Sequence, residues 1–123
     1  MSVSGKEFGK EGEDIAVELL RKKGFEIIKR NFHFGRLGEI DIIAKDPEDG
    51  FTVFVEVKSR KNLEFGDPVL AITPNKIRQL KKVATGYLYV NNIKEIDCRF
   101  DVITVLMRGK RSPEIKHYVN AFT

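Results

Sequence analysis

The chain has a single cysteine, Cys98, so no disulfide can form within it. A lone thiol suits a reducing compartment, and its place at the head of an apolar run predicts a buried, structural side chain. Long apolar runs are missing as well. The longest near the end, Val102 to Met107, is far too short to span a bilayer, and the opening Met-Ser-Val-Ser-Gly-Lys-Glu has no signal-peptide core. A cytoplasmic protein without membrane association is therefore expected. Histidine is scarce: His33 and His117 stand apart and form no ligand pattern. There is no repeat, linker or low-complexity tract, and 123 residues at 41% hydrophobic content suffice for one core. Residues 1-123 are expected to form a single domain.

Charge is what the chain does have, with 22 Lys and Arg against 18 Asp and Glu, a net of +4. The cations cluster. Arg21, Lys22 and Lys23 are followed by Lys29 and Arg30; Lys58, Arg60 and Lys61 come next, then Lys76, Arg78, Lys81 and Lys82. Such groups suit a phosphate backbone, and Arg60, Lys61, Lys76 and Arg78 are the candidate nucleic-acid contacts.

Periodicity orders the elements. Ser4 and Glu7 form a capping-box pattern ahead of a helix over Gly5 to Lys23, where Phe8, Ile15, Ala16, Leu19 and Leu20 recur at helical spacing. On that helix Glu13 borders the apolar stripe and can reach inward, whereas Asp14 points away. A strand follows at Phe25 to Phe32. Residues 62–72, without clear period, read as a loop near the hairpin described next, placed to cover it. Thr73 caps a second helix that opens on Pro74 and ends near Val90. Cys98 to Leu106 is an apolar strand in which Arg99 and Asp101 share a face as a structural pair, and Glu114 to Phe122 a shorter edge strand. The core order is α-β-β-β-α-β.

Between the first strand and the loop lies a hairpin, Gly38 to Arg60, that carries acid where a core needs apolar side chains. Asp41 sits among isoleucines, and Glu56 interrupts the run Val53 to Val57. A turn centred between Glu48 and Asp49 pairs Asp41 with Glu56 and Glu39 with Lys58. Opposed carboxylates about 5 Å apart at Cβ repel one another, which a divalent cation between them relieves. Oxygen donors select Mg2+ or Mn2+. Glu13, Asp41 and Glu56 are the candidate ligands, and Lys58, beyond Glu56 on the same strand face, would orient an attacking water or offset developing phosphorane charge. A Glu-x-Lys tripeptide is weak alone: with 11 Glu and 14 Lys, roughly one arises by chance, and a second, Glu114 to Lys116, reads as surface.

Ile40-Asp41, fourteen intervening residues and Glu56-Val57-Lys58 resemble the PD-(D/E)xK nuclease superfamily, whose restriction-endonuclease-like α/β fold has a central mixed sheet flanked by helices. Within it the chain resembles the small bacterial YraN family, through Gly9-Lys-Glu-Gly-Glu13, Asn31, Gly38 to Ala44, Phe54 to Arg60, Phe65-Gly66 with Pro68, and Arg99-Phe-Asp101. It is also similar to archaeal Holliday-junction resolvases. The resemblance implies metal ligation by Glu13, Asp41, Glu56 and the carbonyl of Val57, with Lys58 catalytic alongside Asp41 and Glu56. Ile40 stands where the motif has proline. No Gln-x-x-x-Tyr follows the lysine, since Gln79 and Tyr87 are eight apart, so Gln79 is not placed in the site. The expected activity is a Mg2+- or Mn2+-dependent endonuclease acting on branched DNA, DNA being favoured over RNA, as a homodimer. The alternatives are a non-catalytic nucleic-acid-binding module on the same fold and a protein-docking domain.

Overall fold

The computed structural model describes residues 5–64 and 66–122; the Ser4 cap and Phe65 lie outside them. Helix α1, Gly5–Lys22, follows the predicted apolar spacing and buries Ala16, Val17 and Leu20. Strand β1, Glu26–His33, leads to β2, Glu39–Lys45, and β3, Thr52–Arg60. A short 3-10 helix, Pro68–Ala71, precedes helix α2, Pro74–Val90, whose Thr73 hydroxyl accepts from the Lys76 N–H at 3.1 Å. Strands β4, Cys98–Arg108, and β5, Arg111–Phe122, complete the chain.

The five strands form one mixed sheet in the order β1-β2-β3-β4-β5. The β3–β4 pair is parallel and its neighbours are antiparallel. Parallel neighbours cannot be joined by a tight turn, so the chain crosses through the 3-10 helix and α2. The two helices take opposite apolar clusters. α1 packs on Ile42, Ala44, Val53, Val55, Ile103 and Val105, and α2, through Leu80, Val83 and Tyr87, on Ile40, Ile43 and Phe54. This is the expected helix-flanked mixed sheet.

Two expectations need correction. β5 begins at Arg111 and runs 12 residues, because Gly109 at φ 65° closes a tight turn and pairing resumes at Arg108–Arg111. Cys98 is exposed, not buried. Arg99 takes the inward position at this end of β4, and alternation turns Cys98 away from it. His117, to which the sequence assigned no role, is a core residue: its side chain is 4% exposed, with Nε2 2.8 Å from Asp101 Oδ2 and Nδ1 2.8 Å from Lys23 Nζ.

Arg99 and Asp101 are a structural pair within a larger charged cluster. The guanidinium donates to Asp46 at 2.7 Å, to Asp49 at 2.8 Å and to Asp101 at 3.0 Å. Burial works against charge here, but bonds from His117, Arg99 and the Asn120 N–H hold the Asp101 carboxyl below the usual range. For Asp46 the Glu48 N–H and Arg99 likewise outweigh burial. The cluster ties the β2–β3 turn to β4 and β5, which fixes the hairpin that carries the acids.

Candidate active site

The paired part of the hairpin keeps the predicted register: Ile42 faces Val55, Ile43 Phe54, Ala44 Val53 and Lys45 Thr52. The ladder stops at Ile42–Val55, one position short of Asp41. Side-chain alternation breaks at the same place, because Ile40 joins the α2 cluster while Ile42 joins the α1 cluster, although strict alternation would keep them together. Asp41 takes over where the ladder ends, its Oδ2 accepting the Val57 N–H at 2.8 Å. On the other side the β1 register brings Asn31 to this position, and Asn31 has φ 52°, a left-handed conformation that asparagine tolerates better than most residues. Asn31 was not among the predicted site residues; its left-handed backbone is invisible in a strand pattern.

The break opens a cavity of about 1030 Å³. Glu13, Asp41, Glu56, Val57, Lys58, Arg60 and Lys76 all line it, as does Asn31. Glu13 arrives from α1 because Gly12 lets the helix close on β3: a Cβ there would overlap Ser59 Oγ and lie 3.1 Å from Ser59 Cβ. Lys61 and Arg78 lie outside. Lys61 sits over the Phe8 ring at 5.4 Å, and Arg78 hydrogen-bonds Asn75 in a neighbouring groove. Gln79 also faces away, donating to the Leu37 carbonyl, which agrees with its exclusion from the site.

Two expected contacts are absent. Glu39 does not face Lys58: with the ladder ended at Ile42 it bonds His33 Nε2 at 2.9 Å. Residues 62–72 do not cover the cavity, and no described residue of that segment lines it. The 3-10 helix lies against β3 and β4, and Asp67 meets Lys116 at 3.3 Å. The second Glu-x-Lys is superficial as expected, with Glu114 and Lys116 both exposed.

Asp41 and Glu56 meet directly. Burial and then the Asp41 charge, together with a hydrogen bond to Asp41, push the Glu56 carboxyl up to about 8. Burial, then Asp41, likewise raises Glu13 to about 7. Near neutral pH the acids therefore retain protons that a cation would displace. Glu13 Oε1 and Glu56 Oε2 are buried without a hydrogen-bond partner, while Lys76 Nζ lies 3.7 Å from that Glu56 oxygen. Hard oxygen donors with orphaned lone pairs fit a divalent cation of the Mg2+ or Mn2+ kind in donor type. As they stand, no group of three or more His, Cys, Asp or Glu side chains among the described residues is set to hold an ion.

Comparison with known proteins places the chain among relatives. The model of "Uncharacterised protein family UPF0102" matches residues 12–105, a span that contains Glu13, Asp41, Glu56, Lys58 and Lys76. A UPF0102 protein of Pelobacter propionicus is 43% identical over 114 residues, covering 93% of this chain and 81% of its own. One from Geotalea daltonii is 47% identical over 117 residues, covering 95% and 90%. A solved structure of Pyrococcus furiosus SfsA in complex with Ca2+ aligns over 96% of this chain and 65% of its own at 13% identity and TM-score 0.36, too distant to carry an argument. Among the described residues no helix is long and apolar enough to cross a membrane.

Proposed function

The chain belongs to the UPF0102 family, and from its site we propose that it is a divalent-metal-dependent nuclease that hydrolyses phosphodiester bonds of DNA, branched DNA in particular. One observation carries this reading: Glu13, Asp41, Glu56 and Lys58 share one open cavity in which two carboxyl oxygens are buried without hydrogen-bond partners. The element order and the Asp41 to Glu56-Val57-Lys58 spacing support membership of the PD-(D/E)xK superfamily. A bound Mg2+ or Mn2+ would polarise the phosphodiester and activate water at neutral pH.

The chain's own residues supply the remainder. Asp41 and Glu56, with Glu13 and the Val57 carbonyl, would hold the cation. The bond from the Val57 N–H orients the Asp41 carboxyl group toward the cavity. Lys58 presents a compact positive charge to the attacking water or to the charge that develops on phosphorus. Arg60 and Lys76 at the cavity wall hold flanking phosphates. Homodimerisation would let two such sites cut two strands; light scattering that finds a monomer at high concentration would count against it.

Incubation with junction, flap, single-stranded and duplex DNA in Mg2+ or Mn2+ tests the activity. Cleavage is expected, falling by about 100-fold or more in Lys58→Ala. No cleavage of any substrate, or cleavage that survives Lys58→Ala, refutes it. The missing ready-made ligand set favours a second reading, a nucleic-acid-binding module without catalysis. Its signature would be salt-sensitive DNA binding untouched by Asp41→Asn, with no calorimetric Mn2+ binding.

A further inference from the structure

The two helices carry opposite charge patterns. α1 has Glu7 in its first turn and Arg21 and Lys22 in its last, the arrangement the helix dipole favours. α2 contains no acid, has no cation in its last turn, and sets Lys76, Arg78, Lys81 and Lys82 in its N-terminal half, against the dipole. Of these only Lys76 lies in the first turn, where a cation is disfavoured by the dipole and a nearby anion offsets the cost.

Lys76 is where this pattern reaches the acids. It lines the acid cavity and also a second groove of about 600 Å³, shared with Arg36, Arg78 and Lys82, whose described lining includes no acid. Its Nζ stands 3.7 Å from Glu56 Oε2. That is within ion-pair range but too long for a hydrogen bond, so the oxygen, on a residue 6% exposed, remains without a donor. The lysine thus stands where a cation would meet Glu56, without hydrogen-bonding it. Its four-carbon stem and single charge can be redirected at little cost.

We propose that Lys76 is a positioning residue that exchanges places: it stands over Glu56, where its charge opposes an incoming dication, while the acids hold no cation, and when a divalent cation takes that carboxyl group it turns to the groove, where with Arg36, Arg78 and Lys82 it grips the phosphates of the nucleic-acid strand passing the cavity. The inference rests on the nuclease reading and adds a property to it, since metal and strand must then strengthen each other's binding. Metal frees the lysine for phosphate, and phosphate, by drawing the lysine away, frees Glu56 for metal. The two effects are equal by linkage.

The test measures binding, not turnover. Mn2+ is titrated calorimetrically into wild type, Lys76→Gln and Lys76→Arg, and affinity for a labelled DNA flap is measured by anisotropy with and without Mn2+, these DNA arms run in a Lys58→Ala background so that the strand stays intact. Lys76→Gln should fold, because the helix cap uses the backbone N–H of Lys76 and not its side chain; a melting curve checks this. Mn2+ is expected to tighten DNA binding at least about fivefold when Lys76 is present. Lys76→Gln should bind Mn2+ severalfold more tightly alone and lose the coupling, while Lys76→Arg keeps it. Arg36→Gln with Lys82→Gln should weaken DNA binding and flatten its salt dependence without changing Mn2+ affinity. If Mn2+ binds but Lys76→Gln couples as strongly as wild type, this inference falls and the nuclease reading stands. If wild type binds no Mn2+, both fall.

Discussion

Replacing Glu56 by glutamine should make the metal-free protein more stable at alkaline pH. The folded-state carboxyl titrates near 8 against an ordinary 4.5, because burial and Asp41 both penalise its ionisation. Its neutral form therefore contributes stability that is fully present below pH 4.5 and is lost as pH rises through about 8. At about 1.4 kcal/mol per pH unit the ceiling on this loss is roughly 5 kcal/mol. Lys76 and water entering the open cavity reduce it, and a loss of about 2 kcal/mol, or about 8 °C in Tm, is expected between pH 5 and 9. Glutamine presents an N–H to Asp41 as the protonated acid presents its O–H, so the neutral hydrogen bond survives the substitution. Wild type and Glu56→Gln are melted in EDTA across that range. Glu13, also raised, titrates in both proteins, so the difference between the two curves isolates Glu56. The variant should match wild type at pH 5 and exceed it at pH 9. Excess Mn2+ should restore wild type at pH 9 and leave the variant where it was, because a cation stabilises only the form that binds it. Parallel curves, or a steeper alkaline loss in the variant, would refute the reasoning.

Gly12→Ala should cost about 1–3 kcal/mol by pushing α1 off Ser59, and should weaken Mn2+ binding by displacing Glu13; calorimetry on Gly12→Ala with Ser59→Gly should show partial recovery. Arg99→Ala should cost about 3–5 kcal/mol in urea unfolding, because it strands the buried Asp101 and Asp46 carboxylates; a loss below about 1 kcal/mol would show that the cluster does not hold the hairpin. Cys98 should be alkylated in the native protein without denaturant, and faster at pH 9 than at pH 7 since partial burial and Asp97 push its thiol up; protection would contradict its exposed position.

The helices, the order of elements along the chain and the hairpin register were legible because each rests on a period that survives folding. Residues Gly5–Lys22 show a 3.6-residue stripe, and the turn at 46–50 sets the Ile42–Val55 pairing. The point where the ladder stops was not legible. Glu-Ile-Asp-Ile-Ile-Ala reads as one unbroken strand, yet Ile40 and Ile42 enter cores on opposite sides of the sheet. A faint signal existed in the continuous run Ile42-Ile43-Ala44, which a one-sided strand would not contain. Lys76 was read as a phosphate contact because helical spacing shows which face a residue occupies and not what the facing strand holds. Cys98 was misread because an apolar neighbourhood in sequence said nothing of Arg99 claiming the inward position. His117 looked isolated because its partners, Lys23 and Asp101, are distant in the chain.

One sheet carries two groups of buried acids with opposite electrostatics, and the contrast argues for a ligand at one of them. Around Arg99 the set is complete: the carboxylates of Asp46 and Asp101 meet the guanidinium or an N–H, and both titrate below their ordinary range despite burial. Around Asp41 the set is incomplete. Glu56 and Glu13 are pushed up, an oxygen of each has no hydrogen-bond partner, and the cation facing Glu56 stands beyond hydrogen-bond reach. Burial alone cannot explain the difference, since Asp101 is the most buried of these acids. What differs is direct bonding: Arg99 and His117 hydrogen-bond the acids of the first group, whereas Lys58, Arg60 and Lys76 line the cavity of the second and leave an oxygen of Glu13 and of Glu56 without a hydrogen-bond partner. A fold that closes one cluster with arginine and histidine, while ending a strand ladder to gather carboxyl groups at the other, leaves oxygens of the second without a bonded partner. Under the nuclease proposal a divalent cation would complete that set, and the cations of α2 would meet the polyanion it acts upon.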